Sequence, residues 1–396
     1  MVVVTAATLL VAAAASLFMA WSIGAGSSGS TPFAPAVGAN AISVMRAGLI
    51  VGVLGLLGAT LQGANVTEAV GTELIGGVTL TAAAAIVALV TAAALVAVGV
   101  FAGYPIATAF TVTGAVVGVG LAMGGDPAWP KYREILTLWM LTPFVGGGVA
   151  YGVARTLIGD ALPERPLTAG LAGVVGGLVA NVGFAVLGPE GEQASIASAL
   201  GPGLGVGAQV GVGTVTLAVA ALVALAVYAD LGRDREGAQR RFLLAMGGLV
   251  AFSAGGSQVG LAIGPLVPIF SEVGVPLWAL LVGGGVGLLA GSWTGAPRMI
   301  KALAQDYASM GPRRSISALI PSFAIAQTAV AFGIPVSFNE IIVSAIIGSG
   351  YAAANEGGGG VSASKMGYTV LAWLASLLLA FGLGYGAFTA IGSLLG

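Results

Sequence analysis

The chain has 396 residues, of which 57% are hydrophobic and only 7% charged, with 66 glycines, a net charge of −1, no cysteine and no histidine. A soluble protein carries about 25% charged residues, so the composition excludes a water-soluble enzyme and marks an integral membrane protein. The missing residue types exclude a thiol nucleophile, a disulfide, a His-assisted triad and the ordinary zinc or haem sites. The near-neutral charge and the lack of a basic run argue against nucleic acid as a partner.

The N-terminus is apolar from Val2 onward and lacks a basic leader, which predicts a retained first helix rather than a cleaved signal. A spanning helix needs about 20 predominantly apolar residues. Charge-free windows fall at 1–45, 47–67, 74–125, 135–154, 166–189, 193–229, 242–271, 273–297, 315–339, 341–355 and 366–396. Several are too long for one crossing and must hold a helix plus a re-entrant piece or a second helix. The expected fold is an all-α polytopic membrane protein of about ten to twelve segments, since a barrel would show alternating strands.

Polar turns are expected at Gly159 to Arg165 and around Glu190. The stretch Asp230 to Arg241, with Arg233, Arg235, Arg240 and Arg241, separates two halves and by the positive-inside tendency faces the cytoplasm. A second basic loop carries Arg298, Lys301, Arg313 and Arg314. Its segment from Ile300 to Met310 reads as an interfacial amphipathic helix. The resulting division is 1–158 as a first transport repeat, 159–241 as additional helices and a charged linker, and 242–396 as a second repeat.

Small polar residues and glycine interrupt the helical pattern twice, at Trp21 to Gly38 and at Phe252 to Leu266. Each interruption is followed by a Gly-x-Pro element, with 81 residues from Gly24 to Pro105 and 80 from Gly255 to Pro335. That near-identity argues for duplication. Paired interrupted segments in two halves point to the substrate site of a secondary transporter. A helix broken in the membrane presents N–H groups and a positive dipole end, which suit an anion, and irregular backbone survives there only inside protein or beside a watery cavity. The competing reading is that these glycines only permit close helix packing.

The residues 56–70 (LLGATLQGANVTEAV), 262–266 (AIGPL), GYPIATAFTVTGAVVGVG and the run from GGVGLLAGSWTGAPRMIKAL to GIPVSFNEIIVSAIIGSG together resemble the inorganic phosphate transporter (PiT) family over most of the chain. That family carries a GANDVAN-type signature and a Pro-x-Ser-Thr-Thr-His element in each half. Here Gly26, Ser27 and Ser30 stand where the first signature has Asn, Asp and Asn, and Ser257, Gln258 and Leu261 occupy the second. Ala107, Thr108, Ala109 and Phe110, then Ser337, Phe338, Asn339 and Glu340, replace the two Ser-Thr-Thr-His runs. Loss of both signature aspartates weakens the sodium sites the resemblance implies. Monoanionic phosphate would welcome an Asp acceptor and sulfate would not, and the GAGSSGS start with Glu in place of His resembles the family's sulfate-permease branch.

The resemblance implies import of a tetrahedral oxyanion, phosphate or sulfate, by ion-coupled alternating access, with H+ or Na+ as coupling ion and no cofactor. It implies homo-oligomerisation and a multi-pass location in the cell membrane. Ser27, Ser28, Ser30 and Thr31 form a hydroxyl cluster at the first break, although such serines also bond back to the preceding turn. Ser257 and Gln258 hold the symmetric position, and Gln offers both donors and an acceptor. Thr108, Ser337 and Asn339 match hydroxyl-bearing family positions.

Glu340 lies between charge-free runs of 25 and 15 residues. An intramembrane carboxylate is functional by default, so proton coupling is its expected role, with a structural carboxylate at an aqueous mouth as the alternative. Arg46 reads as a boundary arginine that snorkels to the interface. Glu68, Glu73 and Glu356 read as membrane-edge residues, and the six tryptophans as anchors or packing. No GxxxxGK[ST] motif and no nucleophile–base set occurs, so an enzyme is not expected. A channel-like or non-transporting relative remains compatible with the missing aspartates.

Overall fold

The computed structural model describes residues 5–159, 162–189, 192–305, 307, 310–354 and 362–395. Glu190 and Glu356, and part of the 300–310 segment, lie outside these described residues. In chain order the helices are α1 (Ala6–Gly26), α2 (Ala34–Gly38), α3 (Val44–Gln62), α4 (Ala64–Thr72), α5 (Ala82–Ala102), α6 (Thr108–Ala122), α7 (Trp129–Ile158), α8 (Glu164–Ala180), α9 (Ile196–Leu200), α10 (Ala208–Arg233), α11 (Arg235–Ile263), α12 (Val267–Glu272), α13 (Leu277–Thr294), α14 (Ala296–Gln305), α15 (Pro312–Ala331), α16 (Phe338–Ala354) and α17 (Ala363–Leu395). A two-residue antiparallel pair, β1 (Ile75–Gly76) with β2 (Asp126–Pro127), is the one sheet among the described residues.

Eight helices among the described residues, α1, α3, α5, α7, α10, α11 with its extension to Glu272, α13 and α17, are long and apolar enough to cross a membrane. The shorter or more polar α6, α8, α15 and α16 pack beside them. At 15 residues, α6 reaches only ~22 Å at ~1.5 Å per residue, short of the ~30 Å hydrocarbon core. By length it would need the extended chain before it to complete a passage.

Local chemistry sets the ends. Thr5, Thr81 and Asp234 cap α1, α5 and α11 by accepting hydrogen bonds from Thr8, Ala84 and Gly237 N–H, which satisfies orphan donors of the first turn. Gly103 (φ 76°) and Gly333 (φ 59°) take left-handed conformations after α5 and α15, and each is followed by an extended Pro-containing stretch before α6 or α16.

The contacts repeat when the halves are exchanged. Helix α1 packs on α5 and α13, as α11 packs on α15 and α3; α6 packs on α17 as α16 packs on α7. Glycine makes these crossings possible. A Cβ added at Gly24 would strike the Leu288 carbonyl and one at Gly255 the Gly55 carbonyl; Gly291 and Gly58 meet the Trp21 and Phe252 carbonyls in the same way. Lipid tails are as apolar as leucine, so such close backbone approach, rather than a hydrophobic drive, holds membrane helices together.

Three expectations change. The interruption expected at Phe252 to Leu266 is helical through Ile263 and breaks only at Gly264–Leu266, because small residues there let α3 approach while the helix keeps its own hydrogen bonds. Helix α11 begins at Arg235, so residue 241 falls inside it. The amphipathic segment at 300–310 begins earlier, in α14, and buries Met299, Ile300 and Leu303 against protein instead of lying on the bilayer.

The charged stretches form a clasp. The Glu164 carboxylate accepts from Arg235, Gln239 and Arg313, tying α8, α11 and α15 together. Arg241 makes two bonds to Asp230, at 2.8 and 2.7 Å. Arg46 is exposed at the start of α3.

Gly58→Val and Gly291→Val should each destabilise the protein by about 2–3 kcal/mol through overpacking. Gly213→Ala, where an added Cβ meets nothing within 4 Å, should be neutral or mildly stabilising. Thermal unfolding in detergent checks all three.

Candidate functional site

The α1 break places Ser27 as its C-cap, with Ser27 N–H and Ser28 N–H both donating to Ile23 O, at 2.8 and 3.1 Å. From α11, Gln258 projects into the same buried place. Gln258 Oε1 accepts from Ser27 Oγ at 3.2 Å and from Thr108 Oγ1, at the start of α6, at 2.8 Å. Its Nε2 donates to Val336 O in the extended stretch before α16. Asn339, in the first turn of α16, donates from Nδ2 to Gly26 O at 2.9 Å and to Ile106 O at 2.6 Å. The interruptions after α1, before α6 and before α16 thus meet the continuous helix α11 through Ser27, Thr108, Gln258 and Asn339, all fully buried.

The other expected residues divide. Ser30 and Thr31 spend their hydroxyls on Ser27 O, at 3.2 and 3.1 Å; this is the local back-bonding such side chains favour. Ser28 Oγ, Ser257 Oγ, Ser337 Oγ and Asn339 Oδ1 are buried with no hydrogen-bond partner. Ser28 and Ser257 adjoin Ser27 and Gln258 in the chain, and Ser337 lies two residues before Asn339. Buried polar atoms are almost always paired, so these four atoms are left to take a further partner.

No charged side chain hydrogen-bonds to Ser27, Thr108, Gln258 or Asn339 among the described residues. Glu340, 2% exposed, follows Asn339 but lines a separate cavity with Phe110, Trp139 and Trp373. Consecutive residues on a helix point about 100° apart. The carboxylate and the amide therefore serve different sides of α16.

Unwound carbonyls such as those of Gly26, Ile106 and Val336 are the oxygens that coordinate sodium in broken-helix transporters. In this chain they accept from the Asn339 and Gln258 amides, and no carboxylate joins them. As arranged, no carboxylate among the described residues stands beside these oxygens to offset a cation's charge. No group of three or more Asp or Glu able to hold a metal comes together among the described residues.

Sequence reasoning missed the two indoles that brace the site. Trp139 Nε1 donates to Pro335 O and Trp373 Nε1 to Pro105 O, both at 2.8 Å. The signal was present: 234 residues separate the tryptophans and 230 the prolines, the spacing of the two halves. It also missed a polar set one turn away on α11, where Gln327 Nε2 donates to Ser253 Oγ at 2.6 Å and to Gln62 Oε1 at 3.2 Å.

Asn339→Leu should strand the buried carbonyls of Gly26 and Ile106 and cost about 2–3 kcal/mol. Thermal unfolding without added anion measures this, and Asn339→Gln should recover part of the loss.

Comparison with known proteins agrees with this architecture. A solved structure described as the sodium-dependent phosphate transporter shares the fold, with a TM-score of 0.80 and 22% identity over 98% of this chain and 99% of that one. A Pyrococcus furiosus protein named provisionally as a phosphate permease is 28% identical over 84% of this chain and 85% of its own length. The Arabidopsis thaliana protein named inorganic phosphate transporter 2-1, chloroplastic, is 25% identical over 91% of this chain and 68% of its own length. The sequence profile of the phosphate transporter family matches residues 24–384, and the chain belongs to that family.

Proposed function

We propose that this chain imports inorganic phosphate across the cell membrane as an ion-coupled secondary transporter, binding the anion at Ser27, Ser28, Thr108, Ser257, Gln258, Ser337 and Asn339. The observation that carries this reading is the set of orphaned buried atoms, Ser28 Oγ, Ser257 Oγ, Ser337 Oγ and Asn339 Oδ1, around a cluster with no charged side chain bonded to it. Three hydroxyls supply donors to an oxyanion. Asn339 Oδ1 supplies the one acceptor that a protonated phosphate can use. Ser30 and Thr31 act through the loop they brace.

The division into repeats at 1–158 and 242–396, with 159–241 between them, is supported by the exchange symmetry of the contacts. Rocking of one repeat against the other would open the buried cluster alternately to each side. The arginine-rich end with the Glu164 clasp faces the cytoplasm by the positive-inside tendency.

Coupling follows from the same chemistry. The buried Glu340 carboxyl and the lack of a carboxylate beside the unwound carbonyls support a proton as coupling ion, with sodium as the alternative. Sulfate is the second substrate reading, favoured by the lack of a carboxylate in the cluster.

Uptake of labelled phosphate and labelled sulfate into proteoliposomes, with a proton gradient, a sodium gradient or neither, tests these points. Phosphate should accumulate with the proton gradient. Gln258→Leu, which disrupts the hydrogen-bonded donors, should lower uptake about ten- to hundredfold, the worth of ~1.5–3 kcal/mol for hydrogen bonds to a charged group. Glu340→Gln should lose accumulation but keep phosphate exchange at equilibrium. Sodium-driven uptake indifferent to Glu340→Gln would reject the proton reading, and gradient-independent flux would make the protein a channel.

A further inference from the structure

A cavity of about 700 Å³ opens sideways between α6, α7, α16 and α17. Its volume is in the range of small-molecule sites, ~300–1,000 Å³. None of the oxyanion-cluster residues lines it. Its mouth is apolar and open, with Phe144 73% and Met140 66% exposed, so in a bilayer it faces the acyl chains. At its inner end stands Glu340, whose Oε2 is buried with no hydrogen-bond partner.

Phe110, Trp139 and Trp373 line the same cavity as that carboxylate. Phe110 stacks on Trp139 with ring centroids 3.9 Å apart. Both indole N–H groups are already committed to Pro335 O and Pro105 O, so the rings offer the cavity only apolar carbon and π surface. A Cβ at Gly348 would strike the Gly147 carbonyl, so α16 lies directly against α7 along one wall. A carboxylate among aromatic faces in an apolar chamber has the chemistry that recognises an organic cation: counter-charge at one point and cation–π attraction around it. No second carboxylate among the described residues lines the cavity, the other side-chain oxygens being the hydroxyls of Tyr151, Ser344, Tyr351 and Thr369.

We propose that this lateral cavity binds a lipophilic ammonium ion from the membrane, held by the Glu340 carboxylate and the rings of Phe110, Trp139 and Trp373. The site is separate from the phosphate cluster and does not depend on that assignment. Occupancy would hold Glu340 charged and paired, and so obstruct any proton it carries.

The test uses the full chain in nanodiscs, with no anion or gradient present, so its outcome is independent of transport. Dicyclohexylcarbodiimide, a membrane-soluble carboxyl reagent, should label Glu340, as read by mass spectrometry. Octyltrimethylammonium should slow that labelling about tenfold or more, in line with a desolvated cation–π and charge pair. Its uncharged isostere 2,2-dimethyldecane should not. Glu340→Asp should keep labelling with weaker protection, and Glu340→Gln should abolish labelling while its unfolding temperature stays near that of the native chain. Equal protection by the uncharged isostere would overturn the proposal and make the cavity an acyl-chain slot. Labelling that octyltrimethylammonium leaves unchanged would also overturn it.

Discussion

Backbone polar groups inside a membrane must be satisfied within the protein, and the centre of this molecule is organised by that demand. Three interruptions expose carbonyls at depth: Gly26 after α1, Pro105 and Ile106 before α6, Pro335 and Val336 before α16. Asn339, Trp373, Gln258 and Trp139 serve them, each donating an N–H across to a different segment. The interruptions therefore hold one another, and the cluster of Ser27, Thr108, Gln258 and Asn339 is a structural keystone before it is a binding site.

This double duty explains why the keystone is neutral. A carboxylate at the Gln258 position would need a cation or further donors to survive burial, and it would repel an anion. An amide gives one N–H to Val336 O and still presents an oxygen that gathers Ser27 and Thr108 hydroxyls. In the proposed cycle the anion competes for those hydroxyls, so binding loosens the bonds joining α1, α6 and α11. Substrate binding and helix movement are then linked through shared donors rather than through a separate trigger.

Much of this was legible in the residues. The 81- and 80-residue spacings anticipated that the Gly-x-Pro elements pair with the interruptions, and hydroxyl and amide residues at the breaks picked out the cluster members. The apolar runs located the helices because a bilayer imposes segment length. What could not be read was where a glycine-rich stretch bends. Residues 252–263 look as broken as 24–30, yet they stay helical because α3 and α15 fit against them, and that depends on partners far along the chain. The clasp at Glu164 was hidden for the same reason. A charged linker and the basic ends of α11 and α15 look merely solvated until tertiary packing brings them to one carboxylate.

Asn339 and Glu340 are neighbours in sequence and strangers in space. Both lie in the first turn of α16, yet one reaches the interrupted segments and the other the lateral cavity. Under the proposed function, a proton on Glu340 and an anion beside Asn339 would act on the same helix from faces about 100° apart. They share the position of α16, packed against α7 at Gly348 and tethered to Gly26 and Ile106 by Asn339. The proposed coupling would then run through that helix, with the carboxyl setting its fit against α7 and α17 and the anion setting its hold on α1.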